Sequence, residues 1–411
     1  MTSRMNSRPV LAALGIAIFA ISTAANSTVH RVFPSESIQA AIDAAAPGDT
    51  ILVEPGTYTG SDAKYGLRIN KENLRLIGKV NKGQGDAGKV RLLHDGSQET
   101  GVYAAPEGCD YTVQADSSLG QQCNARRLQG FYIRGFSVEG FPVNGIQTRW
   151  VDGFEFVRNE SINNLNNGIY PTLSANGLVQ KNVSYGSLDT AMWVAASENV
   201  RVIGNEVFGS TIGFEITVSN NVRVTHNKIY GNTVGVGLFH PNAAGNPPME
   251  VMANWVIEQN DIYDNNLPNP AVPGTFQAGV PPGVGVLLLG VSDNVIAKNV
   301  VEGNDFDGIA VLGWCTAVSL GDPARNCENA PPIADPSANN NRVTHNKLSG
   351  NGGAPPPIGL PGVDILYLQT PPPLGPEPGT GNCFEKNKPS TFTYFSSEPD
   401  GELPTDGCKK P

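Results

Sequence analysis

Four side chains in the middle of this chain could move protons: Tyr170, Asp189, Glu215 and His240. Around them stand Gln147, Arg149, Trp193 and Phe239, which bring an amide, a guanidinium and flat apolar rings to the same stretch. Arg149 can grip a carboxylate through two parallel hydrogen bonds, and aromatic rings suit the apolar faces of sugars. The combination predicts contact with an extended uronate-bearing polysaccharide. In that chemistry Arg149 neutralises the uronate carboxylate, Tyr170 or His240 serves as base or acid, and Asp189 or Glu215 orients them while the proton α to the carboxylate is taken.

These residues are far apart in sequence, so a repeating backbone must bring them together. Asn159, Asn182, Asn205 and Asn227 close strand-like runs at intervals of about 22 to 24 residues, and the register resumes with wider spacing at Asn260, Asn299 and Asn346. Each asparagine precedes a short branched or aromatic run (NVSYG, NEVFG, NKIYG), a turn, and a further strand such as AMWVAA or GFEITV. Three strands and three turns per unit predict a triangular coil, and stacked coils make a rod with one continuous core. Alternation then points Ile146, Ile169, Met192, Phe214, Val236, Val286 and Ile309 inward. Their neighbours Gln147, Arg149, Tyr170, Trp193, Glu215 and Phe239 point outward, with Asp189 in the turn before that face and His240 at its exit. The asparagines belong to the scaffold, because a turn carboxamide can bond the coils above and below it. His226 and His345 share the string THNK and occupy equivalent places away from the candidate face.

The chain begins with Arg4 and Arg8, an apolar run from Val10 to Ile21 and the small residues Ser22 to Ala25. This reads as a secretory leader over residues 1–24, its apolar run too short to span a bilayer comfortably, with a retained membrane anchor as the lesser alternative, and places the protein in the periplasm or outside the cell. Ser35 or Ser37 can cap a short helix carrying Ile38 and Ile42 on one face, ended at Pro47-Gly48 and placed to cover the open end of the rod. The coils are expected over residues 32–368, with a Pro-rich cap or tail over 369–411. Insertions at Asn242–Ala253, Leu267–Pro282, Cys315–Ala338 and Gly352–Pro361 fall at related positions and predict walls on one face.

A net charge of −10, with no concentrated basic run, argues against a nucleic-acid partner. It also opposes a polyanionic ligand unless the groove is locally basic. Six cysteines suit an exported protein, and proximity suggests Cys109 with Cys123, Cys315 with Cys327, and Cys383 with Cys408. No metal site is predicted from these cysteines. Cofactors are unknown, although the acidic turn Asn304-Asp305-Phe306-Asp307-Gly308 could offer oxygens to calcium; ordinary turn chemistry explains it equally well.

The string IQAAIDAAAPGDTILVEPGTYTG, followed by the NVxxxG and GNxxxG coils, resembles the right-handed parallel β-helix, or pectin-lyase-like, superfamily. The region DIYDNNLPNPAVPGTFQAGVPPGVGVLLLG is similar to exported bacterial β-helix repeat proteins. The resemblance implies an all-β, right-handed single-stranded parallel β-helix with an N-terminal capping helix. It is poor evidence for activity, because the superfamily holds pectate and alginate lyases, polygalacturonases, mannuronan C5-epimerases and binding proteins. The Asp-Pro-His motif of the epimerases and the Asn-Thr-Asp and Gly-His-Gly strings of polygalacturonases are missing here. The expected function is uronate lyase or C5-epimerase-like chemistry. The alternatives are non-catalytic carbohydrate binding, an envelope role, or accessory contact with another exported protein.

Overall fold

The computed structural model describes residues 27–60, 63–81, 83, 85–239, 252–314, 337–368, 379–389, 391–395 and 403–409. The leader, His240 and the Cys315–Cys327 pair fall outside them. In a representative coil the strands Ala175–Gln180, Val183–Tyr185 and Thr190–Ala195 follow one another around the axis. The next coil repeats them as Glu198–Ile203, Glu206–Phe208 and Ile212–Thr217. Each strand pairs in parallel with its copy one coil away, building a first sheet of 12 strands, a second of 10 and a third of 11. The all-β, right-handed parallel β-helix is the fold the repeat predicts.

The predicted inward column is the spine of the core. Ile146, Ile169, Met192, Phe214, Val236, Val286 and Ile309 lie in register from coil to coil and all belong to one buried apolar cluster. Corners are held by carboxamides. The Nδ2 of Asn182 donates to Oδ1 of Asn205 at 3.0 Å, Asn205 to Asn227 at 2.9 Å, Asn227 to Asn260 at 2.9 Å, and so on to Asn387. The residue just before each corner asparagine takes a left-handed conformation, with φ of 56° at Lys181 and 58° at both His226 and His345. The two THNK histidines are therefore equivalent corner residues. On the second sheet Tyr185, Phe208, Tyr230 and Tyr263 stack at centroid spacings of 4.7, 5.2 and 5.0 Å, which follows from the strand spacing. Rings stacked along the axis present their edges outward, so this ladder braces the rod.

The ends differ from the expected bounds. A strand at Val29–Val32 starts the first sheet ahead of the capping helix, and strands at Cys383–Glu385 and Phe392–Phe395 continue the sheets past Leu368. Helix α1, Ile38–Ala44, is capped by Ser37, whose side chain accepts from the Ala40 N–H, and buries Ile38 and Ile42 over the open end. Disulfides join Cys109 to Cys123 and Cys383 to Cys408.

Candidate functional site

On the outward face of the third sheet, one strand position forms the column Gln147, Tyr170, Trp193, Glu215, Gly237, Leu287, Ala310 and Leu366. Its chemistry changes along the rod from polar and aromatic to aliphatic. At the junction stands Glu215, 2% exposed. One coil upstream, Asp189 ends a turn and remains partly exposed, and Thr190 opens the strand behind it.

The Thr190 hydroxyl joins the two acids. Its Oγ1 lies 2.6 Å from Glu215 Oε2 and 3.1 Å from Asp189 Oδ1. A hydroxyl has one proton, so it can donate to only one carboxyl; the other contact requires a proton on the second carboxyl. The pair therefore holds at least one acidic proton when both contacts are hydrogen bonds. Electrostatics agree. Burial lifts the Asp189 carboxyl to about 7, against the pull of hydrogen bonds from Thr190 and Gln277. Burial and then the Asp189 charge push Glu215 well above the ordinary carboxyl range. Neither shift has a cation among its causes.

The structure stacks Tyr170 on Trp193 with centroids 4.6 Å apart and planes 15° from parallel. The Trp193 indole N–H donates to Thr217 Oγ1 at 2.9 Å. The two rings face each other, so the broad aromatic platform expected from alternation becomes a wall beside the acids. Gln147 accepts from the Asn144 amide at 2.9 Å and is buried. Arg149 departs from its expected role: Nη1 donates to the Tyr111 carbonyl and Nη2 to the Val113 carbonyl at 3.0 Å. Its guanidinium ties down the loop closed by Cys109–Cys123 and lies over Trp150. Phe239 folds over Gly237, where a Cβ would meet its ring at 2.4 Å, and packs edge to face with Phe276. It belongs to a second apolar cluster on this face. Asp189, Glu215, Tyr170 and Trp193 are thus brought together, and Gln147, Arg149 and Phe239 are occupied elsewhere.

Sequence reasoning missed Thr190, Thr217 and Gln277. Thr190 had a signal: its register neighbours are Asn167 in the coil before and Ile212 in the coil after, so it stands where this column turns from polar to apolar. Gln277 had none, because its position depends on how the insertion folds back. The turn from Asn304 to Gly308 does not gather its oxygens. Asn304 joins a carboxamide ladder with Asn265 and Asn351, and Asp307 is buried on the outer face.

A family model described as periplasmic copper-binding protein (NosD) matches residues 124–277. The residues described do not assemble a copper site. Among them the one group of three His, Cys, Asp or Glu side chains within ligand distance is Cys383, Glu385 and Cys408, and its sulfurs form a disulfide. Met192 lies in the core. No curated protein sequence matches the chain. Among solved structures it is similar to DFA-IIIase from Arthrobacter chlorophenolicus A6 in complex with GF2, with 14% identity, a TM-score of 0.51, and 85% of this chain and 78% of that one covered. The A-module of a mannuronan C-5 epimerase from Azotobacter vinelandii gives 13% identity, a TM-score of 0.49, and coverage of 87% and 95%. The Dettilon tailspike protein gives 14%, 0.47, and coverage of 87% and 62%, so this chain spans less than two thirds of that protein. Among the described residues no helix is long and apolar enough to cross a membrane. With its three parallel sheets and these likenesses, the chain is a right-handed parallel β-helix with the pectin-lyase-like fold.

Proposed function

We propose that this is an exported carbohydrate-acting protein whose reactive centre is the Asp189–Thr190–Glu215 unit. One observation carries the reading: two outward-face carboxyls share a hydroxyl, both with pKa values raised by burial and Glu215 raised further by the Asp189 charge. A carboxyl lifted to about 7 is protonated in part at neutral pH and can both give and take a proton. Asp189 is the partner that reaches solvent. It would donate to the departing oxygen of a glycosidic bond as that bond breaks, and water adding to the sugar carbon would return the proton. Glu215, held behind Thr190, would keep the second proton and set the affinity of Asp189 for the first.

The absence of a cation from the forces on either carboxyl favours a neutral glycan over a uronate polymer, since Arg149 is engaged with backbone carbonyls. The lyase or epimerase reading would require charge neutralisation from elsewhere. Carbohydrate is supported by the names of the similar proteins, one a mannuronan epimerase, and by the Tyr170–Trp193 wall. Export to the periplasm is supported by the leader-like N-terminus, the disulfides and the description of the matching family.

The test is incubation of the purified protein with neutral and uronate-containing polysaccharides, following reducing ends, absorbance of unsaturated product, and C5 proton exchange by NMR. New reducing ends from a neutral glycan, reduced at least about 100-fold in Asp189→Asn, support the proposal. Unsaturated product or C5 exchange would instead establish uronate chemistry. Binding without turnover in calorimetry would leave a carbohydrate-binding protein and remove the acid–base role.

A further inference from the structure

Beyond Glu215 the outer face of the third sheet turns apolar and carries a cavity of about 470 Å³. That volume falls within the range of about 300–1,000 Å³ that accepts small organic molecules. Its shape follows from the order of the coils. The insertion ahead of the strand Val284–Leu289 supplies Phe276 and Val280, and the insertion ahead of Val363–Leu368 supplies Pro356, Ile358 and Leu360. Between those strands lies Asp307–Leu312, which the chain reaches from the second sheet through a short turn, Gly303 to Phe306. The middle coil thus has no wall of its own, and its two neighbours supply one on either side. The result is a slot laid along the middle strand, with Phe306 at its start and Trp314 beyond its end.

Ala310 lies in the floor, in register with Leu287 on one side and Leu366 on the other, so a methyl group stands between two leucines and lowers the middle of the slot. Trp314 stacks on Phe276 with centroids 5.5 Å apart and joins the floor to one wall. Ile358, from the other wall, is 40% exposed although it is a large apolar residue. Among the described residues that line the slot, no side chain leaves a charge or a free donor for a ligand. The Thr275 hydroxyl donates to the Val272 carbonyl at 2.7 Å. Asp307 is fully buried, and neither its Oδ2 nor the Trp314 indole nitrogen has accessible surface.

We infer that the slot holds the acyl chain of a neutral lipid, with the uncharged head left in solvent. A sugar or an extended peptide would surrender water from its hydroxyls or amides with no side-chain partner to replace it, and an ionic head drawn inside would meet no counter-charge. Hydrocarbon loses nothing there, and a slot laid along a strand suits an unbranched chain. The site is independent of the glycan reading, since none of Asp189, Thr190 and Glu215 lines it.

The test is calorimetric titration of the full-length protein with monoacylglycerols whose chains carry six, eight and ten carbons, kept below the concentrations at which they aggregate. Affinity should rise about fourfold with each added methylene, and the heat-capacity change on binding should be negative and grow with the chain. Ala310→Leu continues the leucine column and should fold as well as the parent, and by raising the floor it should weaken the ten-carbon ester about tenfold or more. Ile358→Ser leaves the floor untouched at an exposed position and should weaken the same ester about fivefold. Affinity that does not rise with chain length overturns the inference, as do equal affinities for the ten-carbon ester in the parent and both variants.

Discussion

The proton inventory at Asp189 has a consequence for stability that can be read without any substrate. Its folded-state pKa of about 7 lies above the ordinary 3.8, so between those values the folded protein binds more protons than the unfolded chain. Stability must fall as pH rises through that window and level off above about pH 7. Asp189→Asn keeps an acceptor for Gln277 and Thr190 and removes the ionisation. The variant should match the parent in thermal unfolding at pH 4 and unfold at a higher temperature at pH 8; a difference that is the same at both pH values would contradict the raised pKa. Glu215 deepens the effect, since an ionised Asp189 makes a charge on Glu215 more costly, while the Thr190 hydroxyl works against it. Sequence alone revealed both acids, because alternation on a strand and position in a turn tell which way a side chain points. It did not reveal Arg149's fate, because pointing outward does not say what lies on top. Here the loop between Cys109 and Cys123 covers the guanidinium and takes its hydrogen bonds.

At the level of the elements, the corner asparagines do the work that capping residues do for helices. Asn205 Oδ1 accepts from both the backbone N–H and the Nδ2 of Asn182, at 2.8 and 3.0 Å, while its own Nδ2 donates to the Val179 carbonyl at 3.0 Å. Removing that carboxamide takes one hydrogen bond from each of two buried donors, the Asn182 N–H and Nδ2, and two buried acceptors, the Val179 carbonyl and Asn227 Oδ1. Each such group costs about 1–3 kcal/mol, so Asn205→Ala should destabilise by about 3 kcal/mol or more. Urea unfolding followed by circular dichroism measures this, and a loss below about 1 kcal/mol would show that water or a shifted neighbour replaces the ladder. This layer was legible from sequence because every coil repeats it: the asparagine period, the inward column and the THNK corners are the same local solution written many times. The outer face repeats nothing. Along one column Thr190 follows Asn144 and Asn167 and precedes Ile212, and Asp307 stands between Val284 and Val363, so changes in the column, rather than its repetition, mark the places where chemistry is possible.

Across the whole molecule, the insertion from Leu267 to Pro282 divides that face in two. Its short 3₁₀ turn, Gln277–Gly279, sends the Gln277 side chain to Asp189, while Phe276, Ala278, Gly279 and Val280 line the apolar cavity. The turn is pinned from within the loop by Asn269, whose Nδ2 donates to the Gln277 carbonyl at 2.8 Å and the Val280 carbonyl at 2.9 Å. A partition held at one point should transmit a loosening to both sides, whereas a change at its tip should be felt on one. Gln277→Ala removes a hydrogen bond that lowers the Asp189 pKa, so that group should titrate higher than in the parent, with the stacking of Phe276 on Trp314 unchanged. Asn269→Ala should disturb both, moving the Asp189 titration and loosening the stacking of Phe276 on Trp314, because the backbone that carries Gln277 and Phe276 loses its anchor. Carboxyl ¹³C shifts against pH report the first side and the ring proton shifts of Phe276 and Trp314 the second. If Asn269→Ala alters only one of them, the two halves of the face are held separately and the loop is a lid on one site instead of a shared wall.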